Sequence, residues 1–292
     1  MYKSIISILM FFISTSAFAS DKDLAYLPSE QAQAVDVMNQ VYYVNQFYSF
    51  SHVPFAYQPK GLFTLIKSGH NIYSQVKFER YMNFAYTGAI KAKDLILFTS
   101  GALRGTSILM TDYNDPQRSS MLQVWVPQIR KVRRVPQPPA NDLWLGSAFT
   151  HGDMKLRKPQ HEQHEVIAIE NYNHCAAGME NIPCMSQGKK VLVVKSWPLN
   201  HYPANYDYRL SYIDTYSYAD YRTEYYRNGK LVKEVEKNWL PVDMPMPRAL
   251  IFTHWFVKDY DLNTESLLMM QPLEKETFPE MWTDAFLRKT KR

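Results

Sequence analysis

The sequence predicts a mainly β protein built from one antiparallel sheet. Residues 72–84 alternate apolar and polar side chains with a period of two, which is typical of a strand with one buried face. Asn228-Gly229 lies between two strand-like runs and predicts a tight hairpin, because such a turn needs positive φ at both central residues. Further short strand-like runs with turn signals follow one another, and no composition shift or low-complexity linker divides them. We therefore expect a single β domain over residues 20–292.

The first 19 residues have the pattern of a cleavable signal peptide. Lys3 supplies the positive charge, Ile5–Ile13 form the apolar core, and Ala17-Phe18-Ala19 resembles a small-x-small cleavage site. The apolar run is shorter than the ~20 residues that span a bilayer. An uncleaved signal anchor is the alternative. No cysteine follows the expected cut, so lipid attachment is not indicated, and we expect a soluble mature chain exported to the periplasm.

One helix, a series of strands and a short C-terminal helix are predicted after the leader. The helix covers residues 29–50, with Ser29 as its cap and Val35, Met38, Val41 (or Tyr42) and Tyr48 near helical spacing. Residues 94–100 fit either a short helix or a strand, and Pro279–Lys289 is helix-like. The expected strands, besides 72–84, are Gly61–Ile66, Arg104–Met110, Leu122–Val126, Arg130–Val135, Glu165–Glu170, Lys190–Lys195, Tyr206–Asp214, Tyr221–Tyr226, Lys230–Trp239 and Ala249–Val257.

The two cysteines, Cys175 and Cys184, lie close together in a loop that contains Gly, Pro and Asn. In an exported protein such a pair favours a disulfide that closes a small loop. A redox or metal-binding pair would be expected to show Cys-x-x-Cys spacing, which is absent here.

Catalytic patterns are weak throughout the chain. His161-Glu-Gln-His164-Glu165 resembles a zinc-protease helix, but the second imidazole stands three residues on rather than four. His151, Asp153 and His174 could join these histidines in space, although hydrated polar loops explain them equally well. No Gly-x-Ser-x-Gly elbow occurs, and ten glycines leave little room for a phosphate-cradling loop. We predict no catalytic residue, no metal and no cofactor, and the net charge of +5 is too modest to indicate nucleic-acid binding.

The most specific pattern lies between residues 122 and 153. Leu122–Val126 ends at Pro127, which has no amide hydrogen for the ladder, and the basic run Arg130–Val135 follows. Next comes Gly146-Ser-Ala-Phe-Thr-His-Gly-Asp153. This combination resembles the periplasmic outer membrane lipoprotein-sorting protein families, relatives of the LolA and LolB carriers, and the similarity covers about residues 60–240. Ala148 and His151 replace an acidic and an aromatic residue of the family pattern.

The resemblance implies an open curved antiparallel sheet, a half-barrel, with an N-terminal helix and short helices covering its concave face. Known members carry lipid or acyl chains there and catalyse nothing. The implied function is a monomeric periplasmic carrier of lipid, acyl chain or lipoprotein. The partners that the resemblance suggests are an inner-membrane transporter of the resistance-nodulation (RND) type or an outer-membrane acceptor. We take as apolar cavity candidates the strand and loop residues Val124, Val126, Trp144, Phe149, Tyr208, Leu210 and Tyr212.

The basic cluster Arg130, Lys131, Arg133 and Arg134 has two interpretations. It could protect a sheet edge from aggregation, or Arg130, Arg133 and Arg134 could contact anionic headgroups or an acidic partner. Strand alternation would place Arg130 and Arg134 on one face. Two other functions remain open, namely an envelope module that binds a protein partner without lipid, and an exported metal-dependent hydrolase.

Overall fold

Thirteen antiparallel strands form one open, curved sheet in the computed structural model, which describes residues 33–53, 55–69, 72–115, 117–155, 157–179, 182–202, 204–242 and 250–289. The expected signal peptide lies outside the described residues. The strands are β1 (Lys60–Gly69), β2 (Ile72–Asn83), β3 (Ile90–Phe98), β4 (Ser107–Tyr113), β5 (Met121–Val126), β6 (Lys131–Val135), β7 (Glu162–Tyr172), β8 (Lys189–Pro198), β9 (Tyr208–Asp214), β10 (Asp220–Arg227), β11 (Lys230–Pro241), β12 (Leu250–Asp259) and β13 (Thr264–Pro272). The α-helices are α1 (Ala34–Asn45), α2 (His151–Met154) and α3 (Asp284–Lys289).

The order of strands across the sheet is β6-β5-β4-β3-β2-β1-β13-β12-β11-β10-β9-β8-β7. Two meanders therefore meet where β1 pairs with β13, and the two edges are β6 and β7. These edges are consecutive in the chain, so the connection between them must cross the whole sheet. We call residues 136–161, which make this crossing, the crossover segment.

Helix α1 lies on the same face as the crossover segment, which we call the inner face. The side chains of Val37, Met38, Val41 and Val44 are buried, whereas Val35 is exposed. Phe47, just beyond the helix, lies 5.8 Å from Phe252 of β12 between ring centroids. The predicted helix is therefore confirmed but shorter, and its buried stripe is shifted from Val35 to Val37.

The aromatic core of the inner face follows from strand alternation. Phe63 of β1 stacks on its partner Phe78 of β2, with ring centroids 5.2 Å apart. Phe252 meets Phe63 edge-on at 6.0 Å and also contacts Trp239 of β11. Buried rings of this size contribute most of the apolar area that stabilises a sheet face.

The outer face is covered as well, which the period of two along β2 did not predict. Tyr81, expected on a wet face, is buried beneath the C-terminal segment. The indole nitrogen of Trp282 donates to the Tyr81 carbonyl at 3.1 Å, and the Gln123 amide donates to Asp284 of α3 at 3.0 Å. The predicted C-terminal helix thus exists, but it packs on the face opposite α1.

The disulfide loop covers another part of the outer face. Cys175 and Cys184 are bonded, as predicted. The backbone amide of Ala177 donates to Glu236 of β11 at 2.9 Å, which holds the loop on the sheet. Gly178 adopts φ +78°, and a Cβ there would stand 2.8 Å from Leu267 of β13, so this close approach requires glycine.

Candidate functional site

The crossover segment covers the centre of the inner face and contacts several strands in turn. Trp144 meets Phe78 of β2 at 5.9 Å between ring centroids, and the Ala148 amide donates to Ser266 of β13 at 3.0 Å. Phe149 is fully buried, 5.3 Å from Trp255 of β12. The Gly-Ser-x-Phe-Thr motif is therefore where the segment is inserted into the core. Trp144 and Phe149, expected to line a cavity, instead occupy this part of the inner face.

The three β9 candidates lie on the other side of the sheet. Tyr208, Leu210 and Tyr212 alternate along β9 with Arg209, Ser211 and Ile213, and the latter set faces inward. Outside, Tyr208 stacks on Tyr226 with centroids 4.9 Å apart. The Tyr212 hydroxyl donates to Glu224 at 3.3 Å. The expected place of these three residues in an inner cavity is thus corrected.

Val124 and Val126 do lie on the inner face, in a patch of half-buried apolar side chains. Val124 stands opposite Ile108 of β4, which in turn stands opposite Ile96 of β3. Their side chains share this face because residues two apart on a strand point the same way. We call the following set the apolar strip: Ile96, Ile108, Met110, Leu122, Val124 and Val126, each intermediate in burial.

A polar groove adjoins the apolar strip on the inner face. Its volume is about 520 Å³, and α1, the β4–β5 turn, the crossover segment and the β8–β9 connection line it. A second hollow of about 210 Å³ shares Tyr42, Arg118, Ser120, Lys155 and Lys158 with it. Asp112, which lines that hollow, is two residues along β4 from Met110 of the strip. The groove and the strip are therefore neighbouring parts of one surface.

Several cations of the groove are held by neighbouring polar groups. Lys155 donates to Asp112 at 2.7 Å. Arg209 makes a buried two-nitrogen contact with Glu162, at 3.2 Å from Nε and 2.6 Å from its terminal nitrogen. Arg157 donates to the Tyr202 carbonyl, and its other terminal nitrogen lies 3.3 Å from the Tyr206 hydroxyl. The guanidinium of Arg157, which neutral oxygen atoms hold, is thus preorganised to meet an anion, whereas Glu162 balances the charge of Arg209.

Burial favours the neutral forms of His161, Tyr42 and Tyr206 in the groove. It lowers the pKa of His161, and the charges of Lys158 and Arg157 lower it further. Burial, assisted by the charge of Asp112, raises the pKa of Tyr42 to about 12. Burial also raises the pKa of Tyr206, next to the charge of Glu162. The groove therefore presents fixed cations together with hydroxyl groups that remain protonated at neutral pH.

The basic run is an edge strand, and its arginines point in different directions. Arg130 lies outside β6, in the preceding turn, with φ 49°. Arg133 stands opposite Val124 and so faces inward, whereas Arg134 stands opposite Gln123 and faces outward. The expected sharing of one face by Arg130 and Arg134 is therefore corrected.

Of the two histidines in the run His161–Glu165, His164 is held by hydrogen bonds within the fold. His164 accepts or donates at both ring nitrogens, to Ser196 at 2.8 Å and to the Pro159 carbonyl at 2.9 Å. Within the described residues, no three His, Cys, Asp or Glu side chains gather as a metal site would require. No helix in this part of the chain is long and apolar enough to cross a membrane.

Solved structures with the same architecture define the class of fold. A DUF1329 family protein from Desulfovibrio piger covers 88% of this chain and 100% of its own, at 14% identity and a TM-score of 0.64. An outer membrane lipoprotein-sorting protein domain from Vibrio parahaemolyticus covers 89% and 100%, at 13% identity and 0.64. A LolA superfamily protein from Nitrosomonas europaea covers 87% and 99%, at 13% identity and 0.53. The chain has the LolA-like fold, as its motifs predicted.

The amino-acid sequence also matches a model of a protein family. A family profile described as "Uncharacterized protein" matches residues 91–288, which is about two thirds of the chain. The chain belongs to that family. No curated protein sequence matches it.

Sequence reasoning missed the groove because its residues are dispersed. Arg118, Lys155, Arg157 and Arg209 come from a turn, a crossover and a strand far apart in the chain. The local signal available was the run Lys155-Leu-Arg-Lys158, which follows directly after the family motif.

Proposed function

We propose that this protein is a non-catalytic carrier of the cell envelope that binds an acyl chain or lipid on the inner face of its sheet. The observation that carries the proposal is the apolar strip. Six half-buried apolar side chains lie side by side on a face that α1 and the crossover segment cover only in part. A long-chain ligand would cover this apolar surface, and each Å² of apolar area removed from water would contribute about 25 cal/mol to the binding free energy.

The LolA-like fold supports the same function, since it includes lipoprotein-sorting and LolA superfamily proteins. The ligand would enter along the β4–β6 end, where the apolar strip is half-exposed. Arg133, next to Val124 on the inner face, is the arginine of the basic cluster best positioned to contact a headgroup. Arg130 and Arg134 would then act with Lys131 in keeping the β6 edge from pairing with other chains.

The cellular context belongs to the same proposal. Residues 1–19 would direct export to the periplasm and be removed, leaving residues 20–292 as one domain that acts as a monomer. Lipid or lipoprotein would be the cargo. An inner-membrane transporter of the RND type or an outer-membrane acceptor would be the exchange partner.

Lipid extraction and mass spectrometry of protein purified from its native periplasm test this function. A stoichiometric acyl-containing species should copurify, and the delipidated protein should bind a fluorescent fatty-acid analogue saturably, near one per chain. Protein that carries no lipid and shows no saturable binding would contradict the carrier function.

A protein-binding module is the second candidate, and the free edge β7 favours it. Ile167 and Ile169 on this edge strand are 46% and 50% exposed, and an unpaired edge can accept a strand from a partner. A complex that survives removal of all lipid and is lost on Ile169→Lys substitution would favour this function over lipid transport.

A further inference from the structure

The groove has an excess of positive charge. Five cationic side chains line it, namely Arg118, Lys155, Arg157, Lys158 and Arg209, together with the carboxylate of Asp153. Lys155 is paired with Asp112 and Arg209 with Glu162, so neighbouring carboxylates balance two of these positive charges. Asp153 is itself engaged, because it accepts from Lys233 and from the Thr150 amide. Its negative charge is therefore offset by Lys233, and the excess positive charge of the groove comes from Arg118, Arg157 and Lys158.

The arrangement of donors suits a compact anion with several acceptor oxygens. Arg157 is held by the Tyr202 carbonyl and the Tyr206 hydroxyl, which reduces the entropy lost on binding. Arg209 lines the same groove, but its three nitrogens already donate to Glu162 and Ser211. Tyr225 also lines the groove, with its ring 4.9 Å from that of Tyr206 between centroids, and its hydroxyl donates to Asp153 at 3.4 Å. Guanidinium groups bind phosphate through paired, charge-assisted hydrogen bonds. A volume of about 520 Å³ is within the range of small-molecule sites.

The apolar strip lies beside the groove and is reached from it along β4. Asp112 binds Lys155 at the groove, and Met110, two residues earlier on the same face of β4, begins the apolar strip. Residues two apart on a strand are separated by roughly 7 Å. One molecule can therefore reach both surfaces only if it is charged at one end and apolar at the other.

We propose that the groove binds the phosphate group of a phosphate ester whose acyl chains lie on the apolar strip. This inference rests on the proposed carrier function and names the chemical class of its cargo. Phosphate could come from a lipid headgroup or from a small soluble ester, and the binding measurements below distinguish these sources.

Calorimetric titration of the delipidated protein with three probes tests the proposal. The probes are dihexanoyl phosphatidylglycerol, which has both features; dihexanoylglycerol, which lacks the phosphate; and glycerol 3-phosphate, which lacks the acyl chains. We expect phosphatidylglycerol to bind at least about tenfold more tightly than dihexanoylglycerol, the gain from one charge-assisted contact. Glycerol 3-phosphate should compete weakly.

A matched pair of double variants locates the phosphate. Arg118→Gln/Lys158→Gln removes two charges from the groove, whereas Lys77→Gln/Arg134→Gln removes two exposed charges from the outer face. The groove variant should lose the preference for phosphatidylglycerol and keep its affinity for dihexanoylglycerol. The outer-face variant should match the wild type. If the double groove variant does not fold, the single variant Lys158→Gln and the comparison of the three probes on the wild type still test whether the groove binds phosphate.

The outcomes separate this inference from the carrier function. Equal binding of both diacyl probes, unaffected by the groove variant, overturns the phosphate site and leaves the carrier intact. Tight glycerol 3-phosphate binding without any dihexanoylglycerol binding keeps the groove as a phosphate site and removes the carrier.

Discussion

The Nζ atom of Lys237 lies 2.8 Å from the carboxylate of Asp220, and both side chains are almost fully buried between α1 and the sheet. Lys237 also donates to Asn45 near the end of α1 at 2.5 Å. Burial lowers the pKa of Lys237, while the charge of Asp220 opposes that shift. The pair joins β10 and β11, and the hydrogen bond from Lys237 to Asn45 adds a polar link to the apolar packing of α1 on the inner face.

Removing one partner of this pair should cost substantial stability. We expect Lys237→Met to lower the free energy of unfolding by about 3–5 kcal/mol, because Asp220 would be left charged and buried. Lys258→Met, which breaks an exposed pair with Glu265 at 2.8 Å, is the control and should cost no more than about 1 kcal/mol. Urea denaturation measures both. Equal effects of the two substitutions would show that the buried pair is not stabilising.

Local sequence signals predicted most of the strands for a simple physical reason. Side-chain alternation and turn chemistry are short-range properties, so β2 and the Asn228-Gly229 hairpin could be predicted without knowing the rest of the fold. Asn228 and Gly229 indeed have φ values of 50° and 72°. The strand β13 was missed, although it forms a hairpin with β12, because Leu267-Leu-Met-Met270 is a continuous apolar run without alternation.

The choice of face was harder, and here the site prediction was wrong in part. Leu210 was expected to line the apolar cavity, but alternation along a strand cannot by itself tell which face of β9 points inward. The structure reverses that expectation, because the inner face holds buried ion pairs such as Arg209–Glu162. A buried charged residue that finds its partner from another strand cannot be recognised from its own neighbours in sequence.

The disulfide should contribute to stability through the unfolded state. Chain-entropy arguments give about 2.5 kcal/mol for a loop closed by cysteines nine positions apart. The Cys175→Ser/Cys184→Ser variant should lose about this much in urea denaturation, and thiol titration of denatured wild type should detect no free thiol before reduction. Ser186→Ala, in the same loop, is a control that keeps the bond. Two free thiols in protein from an oxidising compartment would contradict the pairing.

Stability should fall as the pH drops below neutrality, with His164 as one cause. Burial lowers its pKa, with a further contribution from Arg209, while the Pro159 carbonyl and Glu162 oppose the shift. The unfolded chain then binds the proton more readily than the folded one. The contribution of His164 is complete above the unfolded pKa of about 6.5 and is lost as pH falls towards the folded pKa.

The corresponding measurement compares urea denaturation at pH 7.5, 6.5 and 5.5. The His164→Gln variant should show a flatter pH dependence than wild type, by at most about 1.4 kcal/mol per pH unit. Parallel curves for wild type and His164→Gln would mean that His164 does not titrate differently on folding.

The opposite placement of Val124 and Leu210 gives the sharpest test of where an acyl chain binds. Both are half-buried apolar residues of the same sheet, Val124 on the inner face within the apolar strip and Leu210 on the outer face. Val124→Asp puts a charge where the chain would lie, and desolvating that carboxylate on binding is strongly unfavourable. We expect at least about a tenfold loss of affinity for a fluorescent fatty-acid analogue, the equivalent of 1.4 kcal/mol. Leu210→Asp should bind as the wild type does, and thermal melts should confirm that both variants are folded. Loss of binding with Leu210→Asp alone would move the acyl site to the outer face and refute the inner-face carrier.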